Sequence, residues 1–572
     1  MKQQQTSSTV TISETPKMVN AKSFLAIFYQ REALHPDKVF LRQPQGNSWQ
    51  ELNWAEVGQQ ARKLVTLLHD TGLIEGDHIG ILSKNCAQWV IADLAILMGG
   101  FVSVPFYPTL SADELKHVIN LSSIKALFVG KLESWEEQKK AIPNELTCIA
   151  FPHYAGNSKV DSPLQWTKIL SDYAPSKKLY KPKRTDVFTI IYTSGTTGTP
   201  KGVMLTYECV NQVMKNERLH PAYGIYQGVS ERVISYLPLN HIAERIISEV
   251  SSIVAGSEIS FSESLDHFAS NLQSVQPTLF FAVPRIWTKF QQAILAKMPQ
   301  HRLNILLRIP IVSALIKTKI RNGLGLGAVR TAMSGAAPIS AELLNWFQKL
   351  DIQIQEVYGA TELCGGVTYN ALGDIQTGTV GKPLAAAEIK ICPQTDEILV
   401  KTPWTMTGYY QSPKKTAEVF DGKFYRTGDT GKFDADGNLI ITGRIKDTFK
   451  TAKGKFVLPV PLEHKFAINP LIEQVMVTGI GLNQPIALIC LSENTDLNSS
   501  FTDASLLETL NEVNQSCDKH EKISTLIVFK EAWAEDGGFF TPTLKLKRHI
   551  IDQAYKENYT QWEASENNLI WV

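Results

Sequence analysis

The sequence predicts an α/β protein in which short buried strands alternate with amphipathic helices. Apolar runs such as His78–Leu82 and Phe188–Ser194 have the length and composition of strands buried on both faces. They alternate with helical patterns such as Trp54–Asp70, in which apolar residues recur every three to four positions. The chain has 572 residues, of which 44% are apolar. Because that is too much for one hydrophobic core, two or more domains are expected.

Three segments are expected along the chain. Residues 1–20 are polar and lack the apolar core of a signal peptide, so they are expected to form a flexible leader. From about Asp421 the sequence becomes rich in Gly, Asp and Lys, and DADGN at 434–438 predicts a hairpin turn. This shift predicts a domain boundary near Arg444–Asp447, between a large N-terminal domain, residues 21–445, and a smaller α/β C-terminal domain, residues 446–572.

The overall composition argues for an intracellular protein that carries no large charge. The 57 Lys and Arg nearly balance the 56 Asp and Glu, which leaves no general electrostatic drive toward nucleic acid or an anionic membrane. The seven cysteines are scattered and form no CxxC pair, so neither a disulfide framework nor a zinc site is indicated. Reduced thiols in a cytoplasmic protein fit this pattern, and no nucleic-acid partner is expected.

Two apolar stretches raise the question of membrane contact. Val90–Leu110 is interrupted by a charge, a Gly–Gly pair and two prolines, which predicts a buried helix, a turn and a buried strand rather than a membrane span. Leu303–Ile316 is broken by Arg308 and Pro310. This second stretch is a candidate for peripheral contact with a bilayer surface, and ordinary packing is the alternative.

The segment Tyr192–Thr206, YTSGTTGTPKGVMLT, has the composition of a phosphate cradle. It follows an apolar strand, its glycines allow tight backbone turns, and its hydroxyls and one lysine supply donors. A solvated surface loop is the alternative. An ordinary P-loop does not fit, because that motif places Gly directly before its lysine, where this chain has Pro200. The candidate phosphate-binding residues are Thr193, Ser194, Gly195, Thr196, Thr197, Gly198 and Lys201.

This loop resembles the phosphate-binding signature of the adenylate-forming superfamily, which includes acyl-CoA synthetases, peptide-synthetase adenylation domains and luciferases. Further segments resemble the superfamily's other elements in the expected order, and the resemblance covers about Ser23 to Arg548. It implies the adenylate-forming ligase fold. In that fold a large N-terminal domain of several subdomains, with layered sheets and helices, is followed by a smaller, mobile α/β C-terminal domain. The matching segments are SGAAP (334–338), VYGATE (357–362), YRTGD (425–429), GRIKD (443–447) and TPTLKLKR (541–548).

The resemblance implies a set of ATP contacts. Tyr358 is expected to stack on the adenine, Asp429 to accept hydrogen bonds from the ribose hydroxyls, and Glu362 to bind Mg²⁺. An aromatic face suits a purine, and a carboxylate oxygen suits a magnesium ion shared with phosphates. Beyond the loop, the expected ATP-binding residues are Gly335, Ala336, Ala337, Tyr358, Gly359, Thr361, Asp429 and Arg444.

The resemblance also implies catalytic, hinge and substrate residues. Lys545 is the expected catalytic lysine of the C-terminal domain, with Lys547 as the second choice, and Lys446 is the expected hinge. The remaining expected catalytic residues are Lys201, Thr361 and Glu362, and the expected acyl-substrate residues are His241, Arg245 and Gly335.

These parts predict an ATP-dependent acyl-CoA ligase that needs Mg²⁺. Such an enzyme forms an acyl-AMP with release of pyrophosphate and then transfers the acyl group to CoA. The segments SYLPLNHIAER (235–245) and VQPTLFFAVPRIW (275–287) resemble those of long-chain acyl-CoA synthetases, so a fatty acid is the expected acid. The alternatives are a ligase that loads a carrier protein and a non-catalytic nucleotide- or lipid-binding relative.

Overall fold

The computed structural model describes residues 23–46, 48–193, 200–219, 231–492, 495–497, 499–531, 533, 538–540 and 546–572. Strands and helices alternate through this part of the chain. The strands are β1 (Val39–Gln45), β2 (Ser48–Asn53), β3 (His78–Ser83), β4 (Val102–Phe106), β5 (Ile124–Gly130), β6 (Thr147–Ala150), β7 (Leu164–Gln165), β8 (Val187–Thr193), β9 (Lys201–Thr206), β10 (Arg232–Ser235), β11 (Glu258–Phe261), β12 (Leu279–Ala282), β13 (Thr331–Ser334), β14 (Ile354–Ala360), β15 (Gly365–Tyr369), β16 (Lys382–Pro383), β17 (Glu388–Ile391), β18 (Glu397–Lys401), β19 (Gly408–Tyr409), β20 (Phe420–Asp421), β21 (Phe424–Phe433), β22 (Leu439–Arg444), β23 (Phe449–Lys450), β24 (Phe456–Val457), β25 (Ile472–Thr478), β26 (Ile486–Leu491), β27 (Leu526–Phe529) and β28 (Leu569–Trp571).

Helices connect these strands and cover the faces of the sheets. A π-helical segment, Arg245–Val250, lies between two of the helices, and short 3₁₀ turns lie at 139–141, 361–363 and 556–558. The α-helices are α1 (Phe24–Leu34), α2 (Trp54–Asp70), α3 (Ala87–Met98), α4 (Ala112–Ser122), α5 (Trp135–Gln138), α6 (Trp166–Asp172), α7 (Tyr207–Leu219), α8 (Ile242–Glu244), α9 (Ser251–Ala255), α10 (Phe268–Val275), α11 (Pro284–Lys297), α12 (Gln300–Leu307), α13 (Pro310–Gly323), α14 (Ala341–Gln348), α15 (Pro413–Glu418), α16 (Pro459–Phe466), α17 (Ser500–Gln515), α18 (Arg548–Tyr555) and α19 (Tyr559–Glu563).

Two large sheets with parallel centres form most of the N-terminal part. Among the described residues one sheet has the order β16-β15-β14-β13-β12-β10-β11-β1-β2, and it is antiparallel only at β2, β15 and β16. The other has the order β19-β9-β8-β4-β3-β5-β6-β7, and it is antiparallel only at β9 and β19. Parallel strands need crossover connections, which the intervening helices supply.

A smaller antiparallel sheet precedes the C-terminal part. It has the order β17-β18-β21-β20, and β22 pairs with β21. The predicted DADGN turn joins β21 to β22. The Asp434 Oδ1 atom accepts hydrogen bonds from the backbone N–H groups of Asp436 and Asn438, at 2.9 and 2.8 Å. An aspartate that bonds the backbone just ahead of it is a common way to close such a turn.

The C-terminal part has its own sheet and its own core. Strands β25, β26, β27 and β28 pair in chain order, and α16 to α19 lie in the same stretch. Among the described residues, the buried side chains of three apolar clusters lie at or before Leu439, and those of two others begin at Phe449. The predicted α/β fold with a large N-terminal and a smaller C-terminal domain is confirmed. The boundary predicted at residues 445 and 446 falls between the two groups of clusters and stays a prediction.

The apolar stretch after residue 90 is part of the interior. Helix α3 is buried on every face, Gly100 follows with a φ of +81°, and β4 is buried along its whole length. The sequence predicted this helix, turn and strand. Among the described residues, no helix has the length and hydropathy needed to span a bilayer.

Candidate active site

The predicted phosphate loop lies between two paired strands. Strands β8 and β9 run antiparallel, and Thr193 pairs directly with Lys201. The intervening predicted residues, Ser194, Gly195, Thr196, Thr197 and Gly198, lie outside the described residues. Gly202 is needed for packing, because a Cβ atom there would lie 2.8 Å from Cγ2 of Ile190 and 2.9 Å from Cζ of Tyr192. The hairpin thus fixes both ends of the loop.

Lys201 lies among other charged groups at the end of this hairpin. Its ammonium nitrogen is 4.8 Å from the centre of the Tyr409 ring, within the range of a cation–π contact. Burial, followed by the charge of Lys446, lowers the pKa of Lys201, and Glu362 acts in the opposite direction. The predicted loop lysine, the predicted hinge lysine and the predicted metal carboxylate therefore lie close enough to influence one another.

Tyr409 connects Lys201 to Glu362, and sequence reasoning did not identify it. Its hydroxyl donates a hydrogen bond of 2.8 Å to Oε1 of Glu362. Backbone pairing places both partners, because Tyr409 lies opposite Val203 on β9 and the N–H of Met406 donates to the Glu362 carbonyl. A hydrogen bond to one carboxylate oxygen orients the group and leaves the second oxygen to face a cation.

A second group of polar side chains joins three of the resembling segments. The Tyr358 hydroxyl donates to Oδ2 of Asp429 at 2.8 Å, and Nε of Arg444 donates to Oδ1 at 2.8 Å. Asp429 and Arg444 face each other as a cross-strand pair of β21 and β22. Asp429 raises the pKa of Arg444, and burial followed by Asp429 raises the pKa of Tyr358. The structure thus brings the predicted adenine and ribose residues together.

The turn after β13 lies very close to the backbone of β14. A Cβ atom at Gly335 would lie 2.8 Å from the carbonyl oxygen of Val357, and Ala336 has a left-handed φ of +65°. Gly359 is equally restricted, because its Cβ atom would lie 1.9 Å from the carbonyl oxygen of Gly365. Only glycine fits positions where another backbone comes this near. The predicted ATP-binding residues Gly335, Ala336 and Gly359 therefore lie at the carboxyl ends of two neighbouring strands, β13 and β14.

Glu356 is a buried carboxyl group in this region that the sequence did not single out. It precedes Tyr358 by two positions on β14, so the two side chains face the same side of the sheet. It pairs with Ser334, and no described residue bonds its Oε2 atom. Burial raises the pKa of Glu356 to about 8. The carboxyl group therefore holds a proton at neutral pH and is able to donate a hydrogen bond.

The predicted acyl-substrate residue His241 and the aromatic residues of the segment 275–287 have different surroundings. His241 is the N-cap residue of the short helix α8, and its Nδ1 accepts a hydrogen bond from the N–H of Ala243 at 3.3 Å. Phe281 lies beside the Gly335 turn, with its Cε2 atom 3.3 Å from the place of a Cβ atom at Gly335. By contrast, Trp287 is fully buried and packs edge-on against Phe280 in the interior. Of these aromatic residues, Phe281 is the one that reaches the turn.

Arg245 is part of a buried ion pair between the two large sheets. Its Nη2 lies 2.6 Å from each carboxylate oxygen of Asp93, and its Nη1 donates to the hydroxyl of Thr189 at 2.6 Å. The side chains of Arg245 and Asp93 are 1% and 0% exposed. Burial, followed by Asp93, raises the pKa of Glu249 well above its usual range. Nε of Arg245 also lies 3.3 Å from Oε2 of Glu249. These contacts account for the burial of the Arg245 side chain, and its expected place beside the acyl substrate stays a prediction.

The predicted catalytic lysine, Lys545, lies outside the described residues, but the chain on either side of it is placed. Phe540 and Leu546 form an antiparallel bridge. Arg548 at the start of α18 contacts Glu463, and its Nε lies 3.5 Å from Oδ2 of Asp447. Asp447 directly follows the predicted hinge residue. Arg548, three positions after Lys545 in the sequence, therefore contacts a residue next to the predicted hinge.

Comparison with solved structures identifies the class to which this fold belongs. An anthranilate CoA ligase, AuaEII, solved with anthranoyl-AMP, matches with a TM-score of 0.77 and 20% identity over 96% of this chain and 100% of that one. The adenylation domain of a carboxylic acid reductase from Segniliparus rugosus, solved with AMP, matches with a TM-score of 0.75 and 21% identity over 94% and 93%. At such identities the likeness shows the fold, which is that of the adenylate-forming ligases.

The AMP-binding enzyme family matches residues 28–410, and the AMP-binding enzyme C-terminal domain matches residues 446–561. The chain belongs to the AMP-binding enzyme family, as the sequence motifs predicted. Among curated relatives, the long-chain-fatty-acid–CoA ligase FadD15 of Mycobacterium tuberculosis is 28% identical over 93% of this chain and 95% of that ligase. Long-chain-fatty-acid–CoA ligase 5 of Mus musculus is 29% identical over 87% and 82%.

The Tyr409 hydroxyl provides a first test of the site. Tyr409→Phe keeps the ring under Lys201 and removes the hydrogen bond to Glu362. Because a hydrogen bond to a charged group contributes ~1.5–3 kcal/mol, we expect kcat/KM for ATP in acid-dependent AMP release to fall about tenfold or more. We also expect a higher Mg²⁺ concentration at half-maximal rate. Tyr410→Phe is the matched control, since the neighbouring Tyr410 hydroxyl accepts a hydrogen bond from Gln411 instead; equal effects of both changes would contradict the role of Tyr409.

The buried ion pair provides a second test. Arg245→Met leaves Asp93 as an uncompensated buried charge, so we expect a loss of about 3–5 kcal/mol in the free energy of unfolding, measured by denaturant titration. Adding Asp93→Asn is expected to restore part of that loss. Lys401→Met, which removes one partner of the exposed Lys401–Glu388 pair, serves as the control and is expected to leave unfolding unchanged. A stable Arg245→Met protein with an altered preference for acyl chain length would instead support the substrate role.

Proposed function

We propose that this protein is an ATP-dependent acyl-CoA ligase that activates long-chain fatty acids. The observation that carries the proposal is the grouping of Lys201, Tyr409 and Glu362 at the end of the β8–β9 hairpin. This group supplies positive charge and a carboxylate where the loop predicted to hold the phosphates ends and β9 begins. The family assignment supports adenylate formation. The similarity to long-chain-fatty-acid–CoA ligases over most of the chain supports the choice of acid.

In the first half-reaction, a carboxylate oxygen of the acid attacks the α-phosphorus of ATP. A new oxygen–phosphorus bond forms, the bond to pyrophosphate breaks, and the products are acyl-AMP and pyrophosphate. Both reactants are anions, so the main task of the protein is to hold preorganised positive charge around them. Lys201 supplies such charge next to the phosphates, and Lys545 from the C-terminal domain is assigned to the carboxylate and the α-phosphate.

Glu362 and Thr361 suit a magnesium ion shared with the ATP phosphates. Mg²⁺ is commonly held by one or two carboxylates together with phosphate oxygens and water. The Glu362 carboxylate has one oxygen engaged by Tyr409, which leaves the other available. When bound, the ion would neutralise charge on the departing pyrophosphate.

The nucleoside is assigned to the polar group around Asp429. In the described conformation, the Asp429 carboxylate accepts hydrogen bonds from Tyr358 and Arg444, one at each oxygen. Each carboxylate oxygen accepts more than one bond, so the ribose hydroxyls can share this acceptor. Tyr358, Gly335, Ala336 and Ala337 are assigned to the two faces of the adenine, where the restricted glycine positions allow a flat ligand to approach closely.

In the second half-reaction, the sulfur of CoA attacks the acyl carbon of the adenylate, and AMP leaves. The result is a thioester. This step does not need Lys545, so we propose that the C-terminal domain turns about Lys446 between the two half-reactions. The contact of Arg548 with Asp447 would carry the Lys545 segment along with that rotation.

The lysine assignment is tested by separating the half-reactions. Lys545→Ala is expected to lower acyl-AMP formation on the order of 100-fold or more, because it removes charge that acts in the transition state. Thioester formation from supplied acyl-AMP is expected to change much less. Lys547→Ala is the matched control, two positions away in the same segment. An equal loss in both half-reactions, or a larger effect of Lys547→Ala, would reject the assignment.

The choice of acid is tested with a panel of short, long-chain and aromatic carboxylic acids. AMP release is measured in the presence of ATP and Mg²⁺, with and without CoA. We expect the highest kcat/KM for long-chain fatty acids, and AMP release that depends on CoA. Preference for a short or aromatic acid would contradict the long-chain proposal. Turnover with a carrier protein in place of CoA would point to a carrier-loading ligase instead.

A further inference from the structure

The apolar stretch Leu303–Ile316 forms a helical hairpin with an exposed apolar outer side. Helices α12 and α13 meet at a break around Arg308 and Ile309. Four large apolar side chains of the hairpin are strongly exposed: Ile305 by 58%, Ile309 by 47%, Ile311 by 77% and Leu315 by 67%. They fall within eleven residues, whereas the other exposed large apolar side chains of the described chain are scattered singly or in distant segments. Such clustering is typical of an interaction surface.

The inner side of the hairpin makes the contacts that hold it against the rest of the domain. Leu303 is buried, and Leu307, Ile316 and Ile320 pack against the cluster that contains Phe280 and Trp287. The exposed side chains therefore face away from the core. Ile311 and Leu315 are four residues apart, which places them on one face of α13. This outer face is not needed to hold the hairpin in place.

The charged residues of the hairpin and of its flanking sequence are all basic. Between Asp266 and Glu342 the sequence contains no acidic residue, while it contains nine lysines and arginines. The whole protein is close to neutral, so this stretch is a marked local excess. Lys317 pairs with Asp351, but the exposed Arg302, Arg308 and Lys319 have no acidic partner in the described part of the chain.

The positions of these cations match those of the apolar side chains. Arg302 precedes Ile305 by one turn of α12, Arg308 adjoins Ile309, and Lys319 follows Leu315 by one turn of α13. Long basic side chains lie along an apolar surface and keep their charge in the aqueous layer. A helical surface with an apolar centre and a cationic rim is suited to the boundary between headgroups and acyl chains of a bilayer.

We infer that this hairpin, α12 and α13, docks the protein on an anionic lipid surface. Ile305, Ile309, Ile311 and Leu315 enter the boundary region of the bilayer, and Arg302, Arg308 and Lys319 attract its negative headgroups. A second copy of this chain is a poorer occupant, because two such surfaces would bring like charges together. The inference rests on the surface alone and does not depend on the proposed ligase activity.

The test is flotation of the purified full-length protein with lipid vesicles, without substrates. One set of vesicles contains phosphatidylcholine alone, and the other contains equal parts of phosphatidylcholine and phosphatidylglycerol. We expect binding to the anionic vesicles to be at least about tenfold stronger than to the neutral ones, and to weaken as salt is raised, since salt screens such attraction. Failure to bind the anionic vesicles would overturn the inference.

Variants separate the hairpin from the rest of the surface. Ile311→Ser with Leu315→Ser, and separately Arg302→Gln with Arg308→Gln and Lys319→Gln, are each expected to weaken vesicle binding about tenfold or more. Ile74→Ser with Leu265→Ser is the matched control, because those side chains are 68% and 74% exposed but lie elsewhere. It is expected to bind like the unchanged protein.

Two further measurements separate a loss of lipid binding from a loss of folding or of activity. The unfolding midpoint of each variant is expected to stay unchanged, since all altered side chains are exposed, and adenylation of a water-soluble acid is expected to stay unchanged as well. Hairpin variants that bind vesicles like the unchanged protein would overturn the inference. A loss of dimers by the hairpin variants, measured by light scattering without any change in vesicle binding, would assign the surface to a second copy instead.

Discussion

The buried pair of Arg245 and Asp93 is the interaction on which the geometry of the site depends. Asp93 belongs to α3 and Thr189 to β8, the strand that leads into the predicted phosphate loop. Arg245 directly follows α8, in the connection between β10 and β11 of the other large sheet. A buried charge without its partner is far less stable than the pair, so the pair fixes how these elements meet. Arg245 is also the first residue of a π-helical segment, and π-helical turns are often found beside functional sites.

With the sheets fixed, short backbone pairings bring distant segments into one site. Strand β19 has two residues, yet its pairing with β9 places Tyr409 between Lys201 and Glu362, which are 161 positions apart in the sequence. The pairing of β21 with β22 does the same for Asp429 and Arg444. Each of these polar contacts is individually modest. Together they hold these charged side chains in fixed positions before the substrates bind. A reaction between two anions requires such preorganised charge.

The sequence predicted most of the fold and the segments of the site, but not the links between them. Strands such as β3 and β8 are continuous apolar runs, and helices such as α2 have apolar residues at every third or fourth position. Both patterns can therefore be recognised in the sequence alone. The motif residues Tyr358, Asp429 and Arg444 were expected separately, and the structure shows that they form one hydrogen-bonded group. Tyr409 has no such signal, because a strand of two residues has no pattern and its neighbour is another tyrosine. The pairing of Arg245 with Asp93 was not predicted either, because the two residues are 152 positions apart and no local pattern links them.

The net charge of the whole chain does not describe the charge of a local surface. A net charge of +1 suggests indifference to an anionic membrane. The net charge is a sum over the whole chain, and it combines the stretch between Asp266 and Glu342, which has no acidic residue, with acidic residues elsewhere. Electrostatic attraction between a protein surface and a membrane decays within about 8–10 Å at physiological salt. A lipid surface would therefore respond to Arg302, Arg308 and Lys319 and not to carboxylates on other faces. Where the apolar side chains of one hairpin lie among those cations, local charge and local hydrophobicity act on the same contact, and the total charge of the chain has no bearing on it.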